Sequence, residues 1–166
     1  MAITKITTAL SKDTSMWQKI RNNLLKGNSK SVDVGFFEDS KYEDGTQVAY
    51  VAMLNEEGHV NGPDSLVPGA VTPARPFMRY FMMQLEKDGK LIGEMRNDLH
   101  LVAIGSKSWK SFYDKLGKEA KEDVQKVIEQ WFIPMNAPLT VEMKGFNKPL
   151  IDSETMIDSV DYRVNE

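Results

Sequence analysis

Residues 31–37 read Ser-Val-Asp-Val-Gly-Phe-Phe, an alternation that puts Val32, Val34 and Phe36 on one face. A period of two predicts a strand with one buried side. Gly35 falls on the other face, where a missing side chain is expected to permit close approach of a neighbouring element. At the far end of the chain Val160, Tyr162 and Val164 alternate in the same way and predict a closing strand. Lone strands do not persist in water, so the segments 32–37 and 160–164 are expected to pair. With helical patterns filling the interval, the reading is an α+β fold. A small antiparallel or mixed sheet, formed by strands near both ends, packs against several helices including one long late helix.

Outward from the first strand, residues 1–12 carry little pattern and read as a mobile N-terminal arm or a short strand. Trp17, Ile20 and Leu24 then repeat at three and four residues, predicting a helix over 14–26 stopped by Gly27. Ser15 and Gln18 have capping-box spacing, with Asp13 or Thr14 as alternative caps. Tyr42-Glu43-Asp44-Gly45 is a turn. Val48, Val51, Ala52 and Asn55 share a helical face that ends at Gly58. Residues 57–72 form an extended loop punctuated by Gly58, Gly62, Pro63, Pro68 and Gly69.

Pro76 suits the first turn of a helix, where its missing N–H is not needed. Phe77, Phe81 and Leu85 follow at intervals of four, and Gly89 and Gly93 divide the continuation to Leu101 into two helices or one kinked helix. Ser106 or Ser108 opens the clearest helix. Its stripe of Trp109, Phe112, Leu116, Ala120, Val124, Val127 and Trp131 runs to about Ile133 and stops at Pro134. That stripe is expected to bury against the helix after Pro76. Lys115, Lys118, Lys121, Glu122 and Glu129 form its solvated face. Beyond it come a turn at 140–144, a Lys148-Pro149-Leu150-Ile151 segment, and a brief helix through Ile157 capped by Asp152 or Ser153.

A length of 166 residues fits a single domain, 1–166, with a sizeable core. Hydrophobic residues at 41% against 27% charged place it among globular rather than disordered chains. A net charge of -3 argues against wrapping duplex DNA, which needs clustered Lys and Arg. No cysteine is present, so there is no disulfide framework or thiolate metal site, in keeping with a reducing cytoplasm. The N-terminus lacks the apolar core of a signal peptide, and no run approaches the roughly 20 apolar residues of a membrane span.

The search for chemistry returns no catalytic residue, no metal ligand set and no cofactor. His59 follows Glu56 and Glu57 with Asp64 nearby, but Gly58 breaks the helix before it, so solvated carboxylates at a helix end are the better reading. Neither a GxSxG elbow nor a Gly-rich phosphate loop occurs. The 24 acidic residues always allow a carboxylate pair for hydrolysis, and nothing selects one. Trp109, Phe112 and Trp131 share a stripe with aliphatic residues and read as core or partner interface rather than a base-stacking platform. The ten methionines suit adaptable apolar packing. Arg75 is more unusual. Pro73 and Pro76 stiffen its backbone, so its planar fork is held ready for a carboxylate or for carbonyls, in its own chain or a neighbour's.

In this order the features resemble the small neck and tail-completion proteins of tailed bacteriophages, also labelled virion-morphogenesis or minor tail-component proteins. The resemblance rests on Val34-Gly35-Phe36, on Asn55, Glu56 and Gly58, on Pro73, Arg75, Pro76 and Phe77, and on Lys148, Pro149, Leu150 and Asp152. It covers residues 31–164. Two departures stand out: Ser153-Glu154 replaces the family's Thr-Gly, and the loop 59–72 is long. The resemblance implies a structural virion protein without catalytic activity or cofactor, assembled in the host cytoplasm. It would form a six-fold or twelve-fold homo-oligomeric ring in the neck and enable head–tail joining. Its partners would be itself, connector or head-closure proteins, and tail terminator or tail-tube proteins. DNA would pass through the lumen without specific binding, and no membrane is involved. Arg75, Pro76, Phe77, Lys148, Pro149 and Leu150 are the interface candidates from these motifs. Val60, Leu66 and Val67 join them because loops normally shed apolar residues unless something covers them. The competing class is a soluble enzyme or small-ligand binding domain that shares the motifs.

Overall fold

Strand β1 (Ser31–Phe36) and strand β4 (Val160–Asn165) pair antiparallel, so the alternating segments from opposite ends of the chain make one two-stranded sheet. Val32, Val34 and Phe36 are half-buried as the alternation predicts, and on β4 Val160 is buried while Asp161, Arg163 and Asn165 are exposed. The Asn165 amide donates to Ser31 Oγ at 3.1 Å and Asp33 Oδ2 at 2.7 Å, tying the strand ends together. Gly35 serves a different purpose from the one expected. A Cβ there would meet Met78 Cε at an ordinary 3.8 Å, but its φ of 148° is one that other residues rarely adopt.

The computed structural model describes residues 2–27 and 30–165, with side chains from residue 14 onward apart from that of residue 90. α1 (Ala2–Leu25) precedes β1, and between the two strands run α2 (Val48–Glu57), β2 (His59–Val60), β3 (Val71–Thr72), α3 (Phe77–Lys87), α4 (Gly89–Ala103), α5 (Trp109–Gln130), α6 (Pro138–Lys144) and α7 (Thr155–Asp158). The architecture is α+β. No helix among the described residues is long and apolar enough to cross a membrane. The chain gathers into two compact units.

One unit holds α1, α4 and the start of α5, with the outer ends of β1 and β4. The expected arm is helical instead: α1 begins at Ala2, because nothing from residue 2 to 13 is Gly or Pro and the helix runs on unbroken. α1 packs against α4. Leu91, Val102 and Phe112 are buried here. The Trp109 ring stacks on Tyr113 and meets Phe112 edge-on, both at 5.5 Å. Its indole N–H donates to Asn23 O at 2.7 Å, and Tyr113 OH donates to Gly27 O at 3.0 Å. Gly27 therefore does more than stop α1, since a Cβ at that position would come to 2.2 Å from the Trp109 ring. Asp98 accepts from Lys107 at 2.8 Å and Lys115 at 3.0 Å, and Lys115 also reaches Glu94 at 3.5 Å. The division between α3 and α4 is a true break, with Asp88 Oδ1 accepting from Leu91 N at 3.0 Å as the cap of α4.

The other unit comprises Val34–Lys87 and Lys118–Tyr162. Its core gathers Val48 and Ala52 from α2, Phe77 and Phe81 from α3, Val124, Val127 and Ile128 from α5, Met156 from α7 and Val160 from β4. Phe36 meets Phe77 edge-on at 6.0 Å. The stripe of α5 thus serves two partners rather than one. Val124 shares the core with Phe77 and Phe81 of α3 and Trp131 meets Tyr80 edge-on at 5.7 Å, as expected, whereas Trp109 and Phe112 pack in the first unit and Leu116 is only half-buried. Ser108 Oγ caps α5 by accepting from Ser111 N at 3.1 Å. The helix ends at Gln130, short of Ile133, since a residue before proline is driven to extended backbone.

Candidate assembly surface

Arg75 lies between α2 and α3, with its backbone N–H donating to Asn55 O at 2.7 Å. Pro73 and Pro76 fix the approach, and the side chain enters the protein, where it is 6% exposed. Its Nε donates to Pro134 O at 3.1 Å, Nη1 to Asn55 Oδ1 at 3.3 Å, and Nη2 to Met135 O at 3.4 Å and Asn136 Oδ1 at 3.2 Å. Of the two partner types expected, the carbonyls of its own chain are the ones it takes. Burial pushes the guanidinium below its ordinary value, and neutral acceptors compensate in place of a carboxylate. The fork ties the end of α2 to the segment after α5. Phe77 is fully buried beside it and Pro76 is half-buried.

Beside Arg75 lies the Lys148-Pro149-Leu150-Ile151 turn. Pro149 is buried, Lys148 is exposed, and Leu150 is half-buried with a φ of 65°, a left-handed conformation that is costly for a bulky side chain. Lys144, on the last turn of α6, donates to Lys148 O at 2.9 Å and to Ile151 O, and lies 4.9 Å from the Phe146 ring centre. Burial, with Arg75 nearby, holds Lys144 below the usual lysine range against the opposing pull of Asp152. Arg75, Lys144, Leu150, Asn136 and Asp152 line one cavity of about 400 Å³. The structure therefore brings two of the motif segments together, with Arg75 engaged by the carbonyls of Pro134 and Met135 and the amides of Asn55 and Asn136, and Lys144 engaged by the carbonyls of the Lys148–Ile151 turn. Lys144 carried no signal in the sequence, because its partners are main-chain atoms.

Glu56, expected to be a solvated carboxylate at a helix end, is instead largely covered and capped onto α3. It accepts from Met78 N at 2.9 Å and Arg79 N at 3.2 Å, satisfying two free N–H groups at the start of α3, and holds Arg79 Nε at 3.0 Å. Glu57 pairs with the other end of that guanidinium at 2.6 Å. The helix-end carboxylates are thus structural, and His59 sets its Nδ1 3.3 Å from Leu54 O. Among the described residues no group of three or more His, Cys, Asp or Glu gathers in a way that suits a metal ion.

The loop 57–72 is built as a hairpin. β2 and β3 pair antiparallel, His59 opposite Thr72 and Val60 opposite Val71. Gly58 is indispensable at its base, with a φ of 71° and no room for a Cβ, which would come within 2.7 Å of Ala74 N. Asn61 organises the tip: its Nδ2 donates to Val67 O at 3.2 Å and its Oδ1 accepts from Thr72 Oγ1 at 3.1 Å. The ordered ribbon nonetheless leaves its apolar residues outside. Leu66 is 77% exposed, Val71 75%, Val60 65% and Val67 43%.

A second apolar face was not singled out from the sequence. Phe132, Ile133, Met135, Leu139, Met143 and Phe146 are all exposed. Leu139 and Met143, four residues apart, share one side of α6, the spacing that offered a signal. Asn136 N donates to Asn147 Oδ1 at 3.2 Å, which brings Met135 and Phe146 to the two sides of a closed loop. Both apolar faces belong to the same compact unit. Comparison with known protein families, curated proteins and solved structures yields no match.

Proposed function

We propose that this chain is a structural protein of a tailed-bacteriophage neck, a tail-completion component that works as an oligomeric ring between head connector and tail. The observation that carries the reading is the hairpin 59–72, which is internally braced by Asn61 yet holds Val60, Leu66, Val67 and Val71 in solvent. A braced ribbon with an uncovered apolar surface is suited to permanent contact with another protein. The resemblance of the Pro73-to-Phe77 and Lys148-to-Asp152 segments to neck proteins supplies the kind of assembly. In this reading Arg75 and the Lys148–Ile151 turn stiffen the subunit from within, while the hairpin makes the contact. Connector or head-closure proteins and tail terminator or tail-tube proteins are the further partners.

A small-ligand binding domain is the second reading, and the 400 Å³ cavity beside Arg75 favours it. The two cations there, Arg75 and Lys144, are already committed to carbonyls of the chain itself, which leaves no cation there to hold an anionic ligand. Sedimentation of the purified protein, alone and with head-connector and tail-tube proteins, tests the choice. Ring-sized species, or a co-sedimenting complex, are expected. A monomer that ignores both partners would count against the neck reading.

A further inference from the structure

The two uncovered faces differ in shape and in charge. The first is a narrow ribbon. Between Gly58 and Thr72 its one carboxylate is Asp64, at the exposed tip, and its one basic side chain is His59, at the base beside Leu54 O. The second is drawn from the connector after α5, from α6 and from Phe146 beyond it, and from Phe132 to Lys148 it carries Lys144 and Lys148 against Glu142, one net positive charge. An acidic-tipped apolar ribbon and an apolar face with a basic margin complement each other. A contact between two unlike patches of the same chain is head-to-tail, and a head-to-tail contact repeated by rotation gives a ring when the rotation closes and an open filament when it does not.

We infer that the hairpin 59–72 of one copy docks on the Phe132–Phe146 face of the next copy, and that this single contact builds the ring. The inference rests on the neck-protein reading and names its subunit interface. Leu66 and Val67 supply the apolar anchor, which lies against Leu139 and Met143, while Asp64 approaches Lys148. The Asn61 bracket and the Asn136–Asn147 hydrogen bond hold the two surfaces in shape before they meet, so little ordering is needed on association.

The absence of cysteine makes a clean test. Leu66→Cys and Met143→Cys, both at exposed positions, are made singly and together, and disulfides are formed under mild oxidation. The double variant is expected to give a ladder of cross-linked oligomers on a non-reducing gel, collapsing with reductant. An equal mixture of the two single variants is expected to give cross-linked dimers, and each single variant alone to stay uncross-linked. Dimers from Leu66→Cys alone would mark a two-fold contact and overturn the inference. Oligomers by light scattering without any cross-link would place the contact elsewhere, overturning this interface while leaving the ring intact. A chain that stays monomeric and uncross-linked would overturn both.

Discussion

Arg75 and Glu154 are two residues whose importance comes from backbone rather than from partner side chains of opposite charge. Sequence reasoning picked out Arg75 because two prolines fix its approach, but its acceptors at Pro134 and Met135 lie about sixty residues away, where no local pattern points to them. A lysine has no planar fork and cannot reach four acceptors on three sides. Arg75→Lys is expected to lower stability by about 2 kcal/mol, the cost of leaving buried carbonyls unsatisfied. Lys115→Arg, which keeps a cation near Asp98 and Glu94, serves as the control in denaturant titration and should be nearly neutral. Equal loss in both variants would remove Arg75 from its bracing role. On the proposed neck-protein reading Glu154 stands where a glycine is expected, and its φ of 62° is the conformation that glycine takes without steric cost. It pays a left-handed penalty that glycine avoids. Glu154→Gly is expected to raise stability by about 0.5–1 kcal/mol, read as a higher melting temperature.

At the level of elements, the sequence reading succeeded where periodicity was strong and failed where it was silent. The pairing of β1 with β4 followed from two alternating segments with nowhere else to go. The start of α5 at Ser108 and the stop of α2 at Gly58 followed from side-chain chemistry at helix ends. α1 was read too short, because residues 2–12 lack an apolar stripe even though nothing there breaks a helix. The hairpin was read as a loop, because strands of two residues hold no period and their register depends on Asn61. The α5 stripe was read as one surface, yet a stripe does not announce how many partners share it. The ion cluster joining α4 to the start of α5 was likewise invisible, since Lys107, Lys115 and Asp98 meet only through tertiary packing. Hydrogen bonding from Lys107, reinforced by Lys115, holds the Asp98 carboxyl below its ordinary value. A depressed carboxylate stabilises the fold above its unfolded value, roughly pH 4, and that contribution disappears as pH falls through the lower folded value. Asp98→Asn is therefore expected to be less stable than the parent at neutral pH. The difference in melting temperature between the two should shrink as pH is lowered below about 4. A gap that stays constant down to pH 2 would show that the carboxylate's charge contributes nothing.

For the whole molecule, the decisive question is whether the exposed hairpin serves the fold or something outside it. Its residues bury little: Leu66 and Val67 stand in solvent, and the ribbon's own order comes from Asn61 and the β2–β3 ladder rather than from packing on the core. The core itself is complete without it, closed by Phe77, Val124, Ile128 and Val160. Replacing Leu66 and Val67 together by serine should therefore leave circular dichroism and thermal unfolding unchanged, within the roughly 0.5 kcal/mol typical of surface substitutions. The same double variant should fail in assembly, because removing the two anchors from a contact of this kind eliminates most of its binding energy. Under the proposed neck function, the expected outcome of a complementation assay is filled heads and separate tails that do not join. Normal yields of infectious particles would assign the hairpin no part in joining. Unfolding of the isolated variant would instead place Leu66 and Val67 in the fold, and the uncovered surface would lose its meaning as a docking site.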